Sequence, residues 1–290
     1  MTDPRALPPS FAETARAYAR GELQVAEPRP AATVVLLRDP PAGTPSTEPQ
    51  AYLLRRVATM AFAAGMFVFP GGSVDPRDEE LPDTAWVGPP ATAWAGPLTA
   101  TAPLARSLVC AAVRETFEES GVLLAGPSAD EVVLDTSSED WETDRLALLD
   151  RSLSLAELLQ RRGLVLRADL LRAWAHWVTP EFEPRRYDTR FFVAAMPAGQ
   201  RTRDVGGESD RVTWIRPADA LHAHSRGELA LLPPTIVTLA ELATYPSIDA
   251  VLAAGTERDV RPVLPKIALG DDDQARLLLP HDDGYPPDPS

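Results

Sequence analysis

Three glutamates, Glu115, Glu118 and Glu119, stand at positions i, i+3 and i+4 of one stretch, Arg114-Glu115-Thr116-Phe117-Glu118-Glu119-Ser120-Gly121-Val122. On an α-helix these positions share a face. Three carboxylates that close repel one another unless a cation lies among them. Hard divalent cations such as Mg²⁺ take oxygen ligands and share their shell with waters and substrate phosphates. The chemistry open to such a face is metal-assisted attack of water on phosphorus. The plain reading of an isolated E-x-x-E-E is a solvated acidic face, with Arg114 and Glu118 as an i,i+4 pair. The fuller pattern R-E-x-x-E-E-x-G arises by chance about once in a few thousand chains of this length at average residue frequencies, which favours the chemical reading.

The elements that must position these groups are legible around them. A helix over Leu104–Ser120 carries the carboxylates and ends at Gly121. A strand, Phe67-Val68-Phe69, is stopped by Pro70-Gly71-Gly72, and a glycine turn lets backbone approach a metal or phosphate closely. Val122-Leu123-Leu124 is expected to resume a strand. Asp75–Pro103, proline-rich from Pro82 onward, reads as an inserted loop. Further strands are expected at Ala31–Arg38, Ala51–Arg56, near Trp177-Val178, at Thr189–Met196 and at Val212–Ile215. Ser10-Phe11-Ala12-Glu13 and Ser154-Leu155-Ala156-Glu157 have capping-box spacing and open helices, the second ending at Gly163. Residues 128–171 read as mostly helical, and later helices start at Pro217, Pro234 and Ser247. Strands interleaved with helices make a mixed α/β chain.

The stretch Arg114–Val122 resembles the second half of the Nudix box, G-x5-E-x7-R-E-U-x-E-E-x-G-U with U apolar, and Gly72 matches its first glycine. The match departs in three ways: 41 residues, Ser73 to Val113, separate Gly72 from Arg114 where the box has 13; Arg106 stands where the box has its first glutamate; and Thr116 occupies a U position. Phe69-Pro70-Gly71-Gly72-Ser73-Val74-Asp75, an insertion, and then Cys110–Leu124 are together similar to the branch of Nudix hydrolases that includes the peroxisomal acyl-coenzyme A diphosphatase of animals. Trp177-Val178-Thr179-Pro180 and Tyr187–Phe192 are similar to it too.

The resemblance implies a Nudix-like α/β/α sandwich around a mixed sheet, with helical insertions. It implies Mg²⁺ or Mn²⁺ held by Glu115, Glu118 and Glu119, with the Gly72 carbonyl as a further ligand, and Arg114 fixing a neighbouring glutamate. It implies cleavage of a pyrophosphate bond in a nucleoside diphosphate derivative, with coenzyme A or acyl-coenzyme A as the leading substrate. The alternatives are another dinucleotide such as ADP-ribose or NADH, or a non-catalytic Nudix-fold binding or regulatory module. The expected division is an N-terminal helix and linker over 1–30, a Nudix hydrolase domain over 31–255 with a loop insertion at 75–103 and a helical insertion at 128–171, and a C-terminal extension over 256–290.

Other residues carry weaker signals. Glu208, in Gly206-Gly207-Glu208-Ser209-Asp210, is a candidate catalytic carboxylate, since many Nudix enzymes draw a base or ligand from a late loop; the bland reading is an exposed turn residue. Arg55, Arg56 and Arg190, with Arg185 and Arg186, are candidates for phosphate contact, because guanidinium forks suit phosphates. His222 and His224 lack metal-ligand partners and read as surface residues near a helix end. Asp271-Asp272-Asp273 reads as a polar turn.

Composition narrows the function classes. The net charge of −14 disfavours nucleic acid and anionic membrane as general partners, leaving a small anionic substrate reached through a metal or local arginines. Cys110 is the only cysteine, so no intrachain disulfide forms, and it reads as a small core residue. No apolar run approaches the length of a membrane span and no signal pattern opens the chain. The expectation is a cytoplasmic protein. Abundant arginine with Lys266 as the only lysine hints at a GC-rich bacterial source.

Overall fold

The computed structural model of the chain describes residues 9–44, 46–57, 63–203, 209–269, 275–280 and 282–285. Glu208 and Asp271-Asp272-Asp273 lie outside the described residues. In chain order the elements are α1 (Pro9–Ala19), β1 (Arg29–Arg38), β2 (Gln50–Arg56), β3 (Phe67–Val68), β4 (Gly71–Ser73), β5 (Trp86–Val87), α2 (Ala91–Ala95), α3 (Ala102–Ser120), β6 (Ala125–Gly126), α4 (Glu139–Leu149), α5 (Leu155–Arg162), β7 (Val165–Arg167), β8 (Arg172–Val178), β9 (Tyr187–Ala195), β10 (Ser209–Ile215), α6 (Pro217–Ser225), α7 (Pro233–Leu242), α8 (Ile248–Thr256), β11 (Pro262–Val263), β12 (Lys266–Leu269) and β13 (Ala275–Leu278). This is an α/β fold built on a mixed sheet.

Contacts divide the chain into two units, 31–175 with 190–260, and 1–30 with 176–189 and 261–290. The expected segmentation placed 176–189 inside one continuous domain; the contacts group it instead with the two ends of the chain. In that smaller unit Ala15 and Phe182 form a small core with Tyr18, Ile267 and Leu277. There β12 and β13 pair as a hairpin, and β11 runs parallel to the end of β8.

The larger unit holds the sheet order β10-β2-β1-β9-β8, with β3 paired to β2 and β4 to β1. Val34 to Leu37 on β1 are all fully buried. A strand covered on both faces reads as a continuous apolar run, without alternation. Helix α3 supplies much of the core: Leu108 to Val113 are fully buried, and a helix apolar all round its middle is one sunk into the core. Its ends are well defined. The Thr101 hydroxyl accepts from the Leu104 N–H, Pro103 sits in the first turn, and Gly121 closes the helix at φ 74°, in the left-handed conformation that glycine adopts without a Cβ penalty.

Three expectations need correction. Residues 128–171 are not mostly helical: α4 and α5 lie there, but 128–138 is neither helix nor strand and Val165–Arg167 is the strand β7. The segment 75–103 is not a surface loop. It carries short 3₁₀ turns at Pro76–Glu79 and Asp83–Ala85, then β5 and α2, and its Leu81, Trp94 and Leu98 are buried in the main core. Val122-Leu123-Leu124 is fully buried but is not a strand. There the Gln200 side chain takes the place of a strand partner: its Oε1 accepts from the Leu123 N–H at 2.8 Å, and its Nε2 donates to the Leu123 carbonyl at 2.9 Å. Backbone groups this deep must be paired, and a side-chain amide does it here.

Candidate active site

The site lies within the larger unit, where β4 meets the second half of α3. Antiparallel pairing sets Gly71 opposite Thr33 and Gly72 opposite Ala32. A Cβ at Gly71 would stand 2.5 Å from the Ala32 carbonyl oxygen and 2.8 Å from Thr33 Cα, so the sheet itself demands glycine. A Cβ at Gly72 would stand 2.5–2.6 Å from the Glu115 carboxylate. Close approach, and not a positive φ, is what these glycines supply. The Gly71 N–H donates to the Glu119 carboxylate at 2.8 Å. Glu115 and Glu119, one helical turn apart, thus both lie against the Gly71-Gly72 backbone.

Arg114 organises the rest. Its Nε and Nη2 donate to the two Asp78 oxygens at 2.9 and 3.0 Å, Nη2 donates also to the Ser73 carbonyl at 2.9 Å, and Nη1 donates to Glu115 at 2.7 Å and Glu118 at 3.2 Å. A planar fork with several fixed acceptors is held in one orientation. Asp78 is itself fixed by the turn Asp75–Glu79. The Asp75 carboxylate accepts from the Arg77 N–H, and Asp78 accepts from the Asp75 N–H at 2.8 Å. Behind the helix, Arg145 on α4 is buried and donates to the Glu118 carbonyl at 2.8 Å.

Charge balance gives the site its character. One guanidinium faces three carboxylates, Asp78, Glu115 and Glu118. Burial raises the Glu115 carboxyl to about 7, with Arg114 pulling down and Glu118 pushing up. Burial likewise raises Glu118 and Asp78, against the pull of Arg114. Ion pairing alone would lower all three, but a single cation shared among them does not offset the loss of water. Glu119, against the Gly71 N–H, adds a fourth carboxyl group, so the site holds more carboxylates than one guanidinium can pair, a surplus that suits a divalent cation. The donor set therefore fits such a cation, with Glu115, Glu119 and the Gly72 backbone converging and Glu118 turned to Arg114. Among the described residues no group of three His, Cys, Asp or Glu side chains forms a ready-made cage; the Arg114 guanidinium donates to both Glu115 and Glu118.

The remaining sequence candidates fall elsewhere. Arg190 is 2% exposed and donates to the Leu98 and Thr99 carbonyls; it clamps the 75–103 segment and cannot meet a substrate. Arg55 pairs through both nitrogens with Asp210 across β2 and β10, at 2.7 and 2.9 Å, and Arg56 is its half-buried neighbour on β2. Arg186 is buried and bonds the Thr179 and Ala26 carbonyls in the smaller unit. His222 and His224 sit in the last turn of α6, with the His224 Nδ1 against the Leu229 carbonyl. Cys110 is fully buried, which pushes its thiol far up, as suits a core residue. Arg106, at the position of the box's missing glutamate, donates to the Leu81 carbonyl at 2.7 Å and to Asp83, beside the Trp86 ring. It ties the inserted segment to α3.

Asp78 is the functional-site residue the sequence reading passed over. Asp75-Pro76-Arg77-Asp78 has the spacing of a capping box with proline at the first position, the signal that would have found it.

Comparison with known proteins places this geometry. The model of the NUDT19 Nudix domain matches residues 95–242, half of the chain. The acyl-coenzyme A diphosphatase NUDT19 of Gallus gallus is 28% identical over 310 residues, covering 90% of this chain and 80% of that one. The Homo sapiens protein of the same name is 27% identical over 308 residues, covering 89% and 80%. A crystal structure of a Nudix hydrolase from Alicyclobacillus acidocaldarius superposes with a TM-score of 0.67 at 29% identity, covering 82% of this chain and all of that one. Nudix hydrolases as a family use divalent metal ions. The matched half contains the carboxylate helix and its Arg145 buttress, and the chain belongs to the NUDT19 Nudix domain family.

Proposed function

We propose that this Nudix hydrolase cleaves the pyrophosphate bond of coenzyme A or an acyl-coenzyme A, using Mg²⁺ or Mn²⁺. The observation that carries the reading is the buried carboxylate surplus around Arg114, set against a glycine pair that a side chain would block. The substrate assignment is supported by the names of the chicken and human relatives.

Glu115, Glu119 and the Gly72 carbonyl would hold the metal, with Glu118 completing the acidic set. When bound, the metal neutralises phosphate charge and lowers the pKa of a water. Arg114 keeps Glu115 and Glu118 in place, and Asp78 keeps Arg114 in place. A carboxylate of the set accepts the proton of the attacking water, as general-base catalysis requires. Water oxygen bonds to phosphorus as the bridging P–O bond breaks, and the leaving phosphate carries away the electron pair. Glu208 stays the candidate for an additional carboxylate, and Arg56 for phosphate contact. A non-catalytic module is the weaker reading, because it would have no use for the carboxylates. The lone cysteine suits the reducing cytoplasm, and abundant arginine beside a single lysine suits a GC-rich bacterial source. Among the described residues no helix is long and apolar enough to cross a membrane.

Incubating the protein with coenzyme A and either metal, with products read by mass, tests this. The expected products are 3′,5′-ADP and 4′-phosphopantetheine. Thioester cleavage of an acyl-coenzyme A, giving a fatty acid and intact coenzyme A, or no cleavage of any diphosphate, would overturn it.

A further inference from the structure

Of the described arginines near the carboxylate site, Arg114, Arg145 and Arg77 are committed. Arg114 is held by Asp78, Glu115 and Glu118. Arg145 is held by Glu142 and the Glu118 carbonyl. Arg77 grips both oxygens of Asp75 and donates to the Arg151 carbonyl at 2.9 Å. Arg151 differs. Its side chain is 76% exposed, its Nε makes a long ion pair with Asp75 at 3.8 Å, beyond hydrogen-bond length, and its charge acts on Glu118.

The backbone of Arg151 is by contrast pinned. Its N–H donates to the Leu148 carbonyl at 2.9 Å, and its carbonyl accepts from Arg77. It closes the turn after α4 at φ 63°, a left-handed conformation that favours glycine or asparagine and strains a residue with a long side chain. The local fold therefore favours glycine, while the sequence places there a guanidinium on a fixed base, its head largely in solvent and held by the long pair with Asp75. From Arg151 a short chain of contacts leads inward: Asp75, the turn it caps, Asp78, Arg114, and then Glu115 and Glu118.

Building on the proposed diphosphatase reading, we infer that Arg151 is a substrate-binding residue whose guanidinium takes a phosphate oxygen of the substrate at the rim of the carboxylate site. A guanidinium fork suits that anion, and an anion on the substrate outcompetes the long approach to Asp75. Arg151 thereby adds the contact that the buried Arg190 cannot make.

The test uses Arg151→Gly and Arg151→Gln in the full chain. With coenzyme A and Mg²⁺, both should raise KM by about ten-fold or more, the loss expected when a charge-assisted contact is removed, with kcat little changed and partial recovery in Arg151→Lys. Arg151→Gly should also raise Tm, because it relieves the left-handed strain; a merely structural arginine would lower it. Dephospho-coenzyme A separates the two phosphate sources. An equal rise in KM assigns the contact to the diphosphate, and a rise confined to coenzyme A assigns it to the 3′-phosphate. Inorganic pyrophosphate with Mg²⁺ gives a readout that needs no turnover: its stabilising shift in Tm should shrink in Arg151→Gln. Wild-type protein that turns over no diphosphate sinks the diphosphatase reading, and Arg151 is then judged on the pyrophosphate shift alone. Unchanged KM on an active enzyme overturns the inference, as does an undiminished pyrophosphate shift unless the rise in KM is confined to coenzyme A.

Discussion

The two halves of α3 are one continuous helix under two different demands. The first half, to Val113, is apolar and interchangeable in kind: Leu108, Val109, Cys110, Ala111 and Ala112 fill volume. The second half buries charge, Arg114 and Glu118 among them, where exchange of a single atom alters the electrostatics. Arg106 is the charged exception in the first half. At the position of the family's first glutamate, this chain uses an arginine to tether the inserted segment, and leaves the acidic work to the last two turns. The lesson is that a helix can keep its chemistry in its last turns while its earlier turns are given over to packing and tethering.

The contrast can be broken most severely through the insertion. Deleting residues 79–100 removes Leu81, Trp94 and Leu98 from the core and strips Arg106 of its partners. The shortened protein should show no cooperative thermal transition; a normal melt with only a changed KM would mean that the segment is dispensable after all. Asp78→Ala comes next. It leaves Arg114 buried without its bidentate partner, and denaturant unfolding should record a loss of about 3 kcal/mol, the scale for breaking a buried ion pair. Glu119→Gln acts on chemistry and not on packing. It should lower kcat by on the order of 10² or more, as loss of an electrostatic catalytic group does, and abolish the rise in Tm on adding Mg²⁺, while the metal-free Tm holds or rises. A variant with normal turnover would return that half of the helix to ordinary surface charge.

The smallest effect is confined to acid. Arg77 lowers the Asp75 carboxyl from 3.8 to about 2. A depressed carboxylate pKa means that the stability it adds is fully present above the unfolded value and is lost as pH falls through the folded one. Melting between pH 4 and pH 2 should show part of the stability lost through this group, less than the full linkage value because solvent screens the pair, and Asp75→Asn should flatten that part of the profile.

Most of the frame was legible in the sequence, because its signals are local. Apolar runs located β1 and β2, Ser154 and Gly163 bounded α5, and Gly121 closed α3 within a residue of expectation. The i, i+3, i+4 spacing found the carboxylates, but it could not show that Glu118 would turn to Arg114, since that depends on where Asp78 docks from 36 positions away. Proline content misled at 75–103: five prolines from Pro82 onward suggested a loop, yet they break a packed segment into short pieces without expelling it from the core. Val122-Leu123-Leu124 has strand composition, but its pairing is met by the Gln200 side chain, which no periodicity reveals. Arg190 looked suited to a phosphate because type and charge are visible in sequence and burial is not.

The saturation of Arg114 has a consequence for the order in which the protein assembles. Its acceptors come from its own helix, which can form early, and from Ser73 and Asp78, which must arrive from another stretch of chain. Until the inserted segment docks, the guanidinium and the glutamates beside it have no settled arrangement. Completing the site is therefore the same event as closing that part of the core, so a half-finished chain holds no half-finished catalyst.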